Sequence, residues 1–102
     1  MLPSLQITGH GLEITPTLRE FIDDKFGRLV RHAEKITSIH VVLTVNKSRQ
    51  AAEVRLHIPR AEIFAEAESE DMYKTIDLVL DKIIRQLEKH REKHEKNHRQ
   101  KK

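Results

Sequence analysis

Basic side chains recur at helical spacing in the last third of the chain, where their type and order suggest a binding chemistry. Lys82, Arg85, Lys89, Lys93 and Lys96 follow one another at intervals of three or four residues, which places them along one face of a helix. In such a row lysine acts as a point charge, and arginine can hold a phosphate through two parallel hydrogen bonds. The pattern predicts a polyanionic partner, and RNA is the leading candidate.

The positive charge of the chain is concentrated at its carboxyl end. Residues 89–102 contain seven Lys or Arg and two Glu, whereas the whole chain has a net charge of +3. Residues 1–88 are therefore net acidic. This asymmetry favours nucleic acid over a membrane surface, because the basic end has no apolar face with which to enter a bilayer.

No set of residues indicates catalysis. The chain has no cysteine, which excludes disulfides, thiolate metal sites and a cysteine nucleophile. It also lacks a glycine-rich phosphate loop, a nucleophile elbow and an HExxH motif. We therefore predict a protein that is not an enzyme and that uses no cofactor and no small-molecule substrate.

Three histidines form the one pattern that resembles a metal site. His90, His94 and His98 share a helix face at intervals of four residues, and two such imidazoles could hold a zinc ion. No carboxylate is spaced to orient the rings. The pattern therefore favours a polar, partly charged helix face over a metal centre.

Neither a signal peptide nor a membrane span is evident. The first residues lack the charged and long apolar segments of a signal peptide,. No apolar run approaches the roughly 20 residues that a membrane-spanning helix needs. The sequence predicts a cytoplasmic protein with no membrane partner.

The basic row belongs to a long final helix. One face of this helix carries apolar residues at intervals of three or four, which is typical of a helix that packs on a core. They are Met72, Ile76, Leu80, Ile83 and Leu87. No aliphatic side chain follows Leu87, so the later turns have nothing to bury. We expect one folded domain over residues 1–95 and a basic, disordered tail over residues 96–102.

The residues before this helix predict another helix and four strands. Thr15 before Pro16 is a helix-start signal, and an apolar face continues from there to about His32,. Alternating apolar and polar residues predict strands over 5–8, 39–46, 52–58 and 62–68,. The glycines at 9 and 11 end the first strand, residues 47–50 form a polar connection, and Pro59 ends the third strand.

The order β-α-β-β-β-α predicts an α+β fold. Consecutive half-buried strands need a sheet with one covered face, and both amphipathic helices pack there. The predicted fold is a two-layer sandwich with a four-stranded mixed sheet. Its first two strands are parallel, and the later strands are antiparallel. The predicted core consists of Phe21, Phe26, Val41, Leu43, Val54, Leu56, Ile76, Leu80 and Ile83.

The two outer surfaces of this sandwich are predicted to differ in charge. The open sheet face would be acidic, with Phe64 as its one aromatic residue, which argues against a sheet that stacks bases in the manner of an RRM. Its acidic residues are Glu53, Glu62, Glu66 and Glu68. A polyanion should therefore meet the helices. The predicted RNA-binding residues are Lys25, Arg28, Lys74, Lys82, Arg85, Lys89 and Lys93.

Several short segments in register resemble the bacterial ribosome hibernation promoting factors, which belong with the ribosome-associated inhibitors to the sigma-54 modulation protein family. The resemblance covers residues 4–93, and its most specific segment is Asp71-Met-Tyr-Lys-Thr-Ile-Asp77. The other segments are Ile7-Thr-Gly9, Glu13-Ile-Thr15, Leu18-Arg-Glu-Phe21, Lys25-Phe26, Val41-Val-Leu43, Asp81-Lys82 and Arg85-Gln-Leu-Glu-Lys-His90.

The resemblance implies a fold like that of double-stranded RNA-binding domains and a function on the ribosome. Members bind the small ribosomal subunit in stationary phase or under stress, and contact 16S rRNA in the mRNA and tRNA channel at the A and P sites. They thereby inhibit translation on the 70S ribosome. Short members promote inactive 100S ribosome dimers together with a separate ribosome modulation factor.

Two features depart from this family pattern. Members often have glycine in the turn where this chain has Pro59-Arg-Ala61, and the tail after Lys93 is longer than in the shortest members. A sister branch with a longer tail stabilises inactive single ribosomes. The alternatives are that sister function, a general RNA-binding or chaperone-like module, and a protein–protein adaptor.

Overall fold

The computed structural model describes residues 4–32 and 35–100, with side-chain environments for 4–31 and 35–90. The elements are β1 (Ser4–His10), α1 (Pro16–His32), β2 (Ser38–Asn46), β3 (Arg49–Ile58), β4 (Ala61–Ser69) and α2 (Met72–Gln100). Their order confirms the predicted β-α-β-β-β-α arrangement. α2 continues to Gln100 and so includes part of the segment that was predicted as a tail. The domain boundary at residue 95 stays a prediction.

The four strands form one mixed sheet in the order β1-β2-β3-β4. β1 and β2 are parallel, and the two later pairs are antiparallel, as the crossover through α1 and the two short connections predict. Ile7, Val41, Val54 and Ala65 lie side by side across the four strands. All but the half-buried Ile7 are buried, so this row belongs to the covered face of the sheet.

The turns differ from those predicted. β1 continues through Gly9, and Gly11 makes the turn with φ of 80°, where an added Cβ would lie 2.6 Å from the Val45 carbonyl oxygen. β3 begins at Arg49, which leaves a two-residue hairpin connection at Lys47. Lys47 and, in the next hairpin, Arg60 have φ of 58° and 73°. Glycine or asparagine usually occupies such positions, so lysine and arginine do not indicate tight turns there.

The core fills the space between the sheet and the helices. The predicted core residues that are buried are Phe26, Val41, Leu43, Val54, Leu56, Ile76 and Ile83. Phe21 and Leu80 are only partly buried and pack against the margin of that core, so their prediction as core residues is wrong. The buried face of α2 instead includes Val79, which is 0% exposed. Val79 lies three residues after Ile76 and four before Ile83, so the helix is rotated slightly from the predicted stripe.

Polar side chains fix where each helix begins. Thr15 Oγ1 accepts a hydrogen bond from the Leu18 N–H at 3.2 Å, which confirms the predicted cap of α1. Asp71 Oδ1 accepts one from the Tyr73 N–H at 3.2 Å and caps α2. The buried Thr75 hydroxyl lies 2.9 Å from the Gln50 carbonyl oxygen and 2.6 Å from Ser69 Oγ. These bonds tie the first turn of α2 to β3 and β4 and set the rotation of the helix.

Candidate nucleic-acid interface

The two helices lie side by side on the covered face of the sheet, with α2 over β3 and β4. Lys25 of α1 joins them, because its Nζ lies 3.3 Å from Asp77 Oδ1 of α2. The same Nζ lies 5.2 Å from the centroid of the Phe21 ring. Asp77 therefore marks the side of α2 that faces α1.

α2 separates its charged residues into two lines. The cationic line, Lys82, Arg85 and Lys89, follows intervals of three and four residues. The acidic line, Asp77, Asp81 and Glu88, follows intervals of four and seven, about a quarter of the way around the helix from the cationic line,. All six residues are exposed. Since Asp77 faces α1, the acidic line borders α1 and the cationic line lies on the side away from it.

This arrangement divides the predicted binding residues into two groups. Lys25 and Arg28 lie on α1, and the cationic line lies beyond the acidic line on α2. The acidic line therefore lies between the cations of α1 and the cationic line of α2. Lys74 is exposed near the start of α2, and the side chain of Lys93 lies outside the described residues.

Two of the predicted arginines pair with carboxylates of their own helix. Arg28 contacts Asp24 at 3.4 Å, and Arg85 contacts Asp81 at 3.2 Å. Both are pairs between residues four apart whose side chains are more than half exposed. Such exposed pairs stabilise a protein by well under about 1 kcal/mol, so either guanidinium can turn to a phosphate at little cost.

Lys82 has a structural contact that the sequence did not reveal. Its Nζ donates to the carbonyl oxygen of Glu66 at 2.8 Å, and Gln86 Nε2 donates to that of Phe64 at 2.7 Å. β4 is an edge strand of the sheet, so these carbonyls have no neighbouring strand. The Lys82 and Gln86 side chains thus occupy backbone acceptors that could otherwise form hydrogen bonds with another strand.

An open groove of about 410 Å³ runs along this edge and is lined by Phe64, Ala65, Glu66, Lys82, Arg85 and Gln86. Among the described residues, no three His, Cys, Asp or Glu side chains are placed to hold a metal ion. His94 and His98 have side chains outside that part of the chain. Neither described helix is long and apolar enough to cross a membrane.

The open sheet face carries the four predicted glutamates, with arginines among them. Arg49 contacts Glu68 at 2.9 Å, and Arg55 contacts Glu62 at 3.4 Å. Glu53 lies directly opposite Glu66 on the neighbouring strand, and among the described residues neither makes an ion pair. The face is therefore acidic at its centre, as predicted.

An aromatic contact that the sequence pattern does not predict joins the two helices. The Tyr73 and Phe21 rings meet at nearly a right angle with centroids 4.8 Å apart, and Tyr73 is 40% exposed. Tyr73 belongs to the Asp71–Asp77 segment, whose local pattern assigns it no role. Only the packing of α1 against α2 brings Phe21 to it, so no local pattern indicates the contact.

The chain is similar to known ribosome-associated proteins. The model of the family described as "Sigma 54 modulation protein / S30EA ribosomal protein" matches residues 5–95. Over 81 residues, or 79% of the chain, the sequence is 49% identical to the ribosome hibernation promoting factor of Azotobacter vinelandii and covers 76% of that protein. The corresponding factor of Escherichia coli strain K12 is 45% identical over 81 residues, with 85% of its length covered.

Two solved structures share the fold. A ribosomal subunit interface protein from Coxiella burnetii aligns with a TM-score of 0.79 at 38% identity, over 86% of this chain and 97% of that chain. The N-terminal domain of Protein Y from Thermus thermophilus aligns with a TM-score of 0.79 at 27% identity, over 87% and 99% of the two chains. Both matches agree with the predicted fold class.

Proposed function

Because this chain belongs to the sigma 54 modulation protein / S30EA ribosomal protein family, we propose that it is a ribosome hibernation factor. It binds the small ribosomal subunit in stationary phase or under stress and inhibits translation. The observation that carries this proposal is the 49% identity to a ribosome hibernation promoting factor over 79% of the chain. The names of the relatives support a role in ribosome hibernation, and the positive charges of α2 provide a physical basis for binding RNA.

The binding surface that we propose is the helix layer, in contact with 16S rRNA of the mRNA and tRNA channel at the A and P sites. Arg85 exchanges its ion pair with Asp81 for a contact with a phosphate. Lys89 and Lys93 extend the contact with RNA along α2. Lys25 and Arg28 meet the RNA on the other side of the acidic line, and Lys74 meets it near the start of α2. Lys82 contributes through the field of its charge while its ammonium group stays on the β4 edge.

Inhibition in this proposal occurs by occupancy. The chain blocks the channel without turnover, needs no cofactor or small-molecule substrate, and acts in the cytoplasm on the 70S ribosome. Residues 1–95 bind the ribosome, and the tail 96–102 tunes salt tolerance. With a ribosome modulation factor on the same ribosome, the outcome is an inactive dimer.

Sedimentation of a lysate from starved cells tests the assignment to the ribosome. We expect the protein to migrate with small subunits and whole ribosomes, and to inhibit cell-free translation in proportion to its ratio to ribosomes. Migration with bulk RNA would favour a general RNA-binding module. Inactivation of many ribosomes by one protein molecule would contradict inhibition by occupancy.

The tail after Lys93 distinguishes the two ribosomal outcomes. Truncation there should leave the melting temperature nearly unchanged, since no aliphatic residue is removed. If the full chain forms single inactive ribosomes and the truncated chain forms dimers, the function is that of the sister branch with the longer tail.

A further inference from the structure

The groove beside β4 brings the cationic line next to an exposed aromatic residue. Lys82 and Arg85 line it from α2, and Phe64 lines it from the edge strand. Phe64 is 39% exposed. An aromatic ring beside several cations is the combination that single-stranded nucleic acids use, because the ring stacks a base while the cations hold its phosphates.

The Phe64 ring already has one stacking partner. The guanidinium carbon of Arg55 lies 5.5 Å from the ring centroid, and Glu62 holds this guanidinium at 3.4 Å. The exposed ion pair keeps Arg55 near the ring but stabilises it only weakly. A base that arrives on the exposed part of Phe64 would therefore find Arg55 beside the ring as an additional cation.

The edge contacts of α2 decide between RNA and a peptide as the occupant. A peptide that added a strand to β4 would need the outward carbonyls of Phe64 and Glu66. Gln86 and Lys82 already occupy these two acceptors at 2.7 and 2.8 Å. The charge of the groove also favours an anion, since two cations, Lys82 and Arg85, line it against one carboxylate, that of Glu66.

We propose that this groove holds a single-stranded RNA segment, with one base on Phe64 and an adjoining phosphate on Arg85, in the field of the Lys82 charge. The inference rests on the proposed function, in which α2 faces RNA. It adds that the RNA bends around the β4 edge and is unpaired there. Phe64 thus becomes a base-binding residue on the margin of a sheet face that is otherwise acidic.

Tyr73 provides a matched control. It is 40% exposed, almost the same as Phe64, but it lies beside α1 across the acidic line, where Phe21 packs on it. It is also the one tyrosine of a chain without tryptophan, so tyrosine fluorescence reports on this position alone. RNA bound in the groove should leave that fluorescence lifetime unchanged, whereas RNA stacked between the helices should shorten it.

The test measures binding of the full chain to a single-stranded oligoadenylate and to the same backbone with abasic sites. We expect the abasic strand to bind roughly 5- to 150-fold more weakly to the native chain. Phe64→Leu should lose a similar factor on oligoadenylate with an unchanged salt slope. Phe64→Tyr and Tyr73→Leu should bind like the native chain, with melting temperatures recorded for each variant.

Equal affinity of the native chain for the two strands would overturn the inference without recourse to any variant. So would native affinity of a folded Phe64→Leu, or a shortened Tyr73 lifetime on binding. Small subunits separate this failure from that of the proposed function. If the native chain and Phe64→Leu bind subunits equally, the groove inference alone is wrong. If the native chain binds oligoadenylate through Phe64 but no subunits, the ribosomal assignment is wrong.

Discussion

The helix layer and the open sheet face both mix charges of two signs, but they group them differently. Residues 16–31 and 72–90 of the helices carry eight Lys or Arg and six acids, and the strands carry two Arg and four Glu. The described helix residues therefore carry an excess of two positive charges, and the strands carry an excess of two negative charges. On α2 the spacing collects like charges into separate lines, whereas the sheet register pairs Arg49 with Glu68 and Arg55 with Glu62.

The two surfaces therefore differ in the local grouping of their charges as well as in the sign of their net charge. A phosphate approaching α2 from the side away from α1 meets three cations, Lys82, Arg85 and Lys89, of which Arg85 is paired with Asp81. On the sheet it meets Glu53 opposite Glu66. At physiological salt, charges separated by more than about 8 Å are largely screened, so a polyanion responds to the nearest line of charges.

The largest expected effect concerns the rotation of α2, which decides where the cationic line points. Ile83→Ala should reduce the free energy of unfolding by about 2–5 kcal/mol, because Ile83 is 0% exposed,. Leu80→Ala should cost clearly less, since Leu80 is only partly buried. Urea unfolding of the two variants measures both losses in the free energy of unfolding. Equal losses of free energy would mean that α2 is rotated toward Leu80. The cationic line would then point in a different direction from the one described.

Charge reversal tests whether the cationic line of α2 binds the small subunit. Arg85→Glu with Lys89→Glu should abolish co-sedimentation with small subunits at physiological salt. Each phosphate contact that is lost should also flatten the salt slope by roughly 0.7 to 0.9. Lys82 is left unchanged, because it also covers the β4 edge.

The matched control for this variant is Lys47→Glu with Arg60→Glu, which makes the same charge change on the two exposed hairpin turns. It should bind subunits nearly like the native chain. If both double variants lose binding equally, net charge matters and the cationic line does not. Circular dichroism should remain native for both.

A third prediction separates the structural role of Lys82 from its charge. Lys82→Ala with Gln86→Ala should lower the free energy of unfolding by about 1 kcal/mol, since two hydrogen bonds to β4 are lost,. The uncovered edge should also promote self-association, visible by sedimentation velocity. Lys74→Ala removes a charge from α2 without uncovering a strand and should stay as monomeric as the native chain. A monomeric double variant would show that the edge needs no cover.

The smallest effect is expected on the open sheet face. Glu53→Gln with Glu66→Gln removes the repulsion between two carboxylates that face each other across strands. The free energy of unfolding should rise by a few tenths of a kcal/mol, up to about 1. Subunit binding should stay unchanged. Markedly tighter binding of this variant would indicate that the sheet face lies against the RNA.

Most of the fold was predictable because its signals are local. The alternation of β2 and β3, the Thr15-Pro16 start of α1 and the burial of Ile76 and Ile83 on α2 depend on neighbours in the chain, and all are confirmed. The tight turn at Lys47 was not predicted, because a lysine in the sequence does not indicate a positive φ. Leu80 was misassigned, because Leu80 and Val79 both fit an apolar stripe.

The candidate site was predictable in composition and less so in layout. Helical spacing alone places Lys82, Arg85 and Lys89 in one line, and the residues are exposed as expected. Their relation to Lys25 was not predictable, because it depends on which side of α2 packs against α1. The same holds for the contacts of Lys82 with Glu66 and of Gln86 with Phe64, which join residues 16 and 22 positions apart.

The sequence by itself determined the order of elements, the apolar faces and the presence of a basic line, since periodicity within a helix or strand follows from backbone geometry. The tertiary structure decided which charges became neighbours. Thr75, buried against Gln50 and Ser69, fixes the rotation of α2, and that rotation turns the acidic line toward α1 and the cationic line toward the β4 edge. Contacts between distant segments depend on packing all elements at once, so no local pattern contains them.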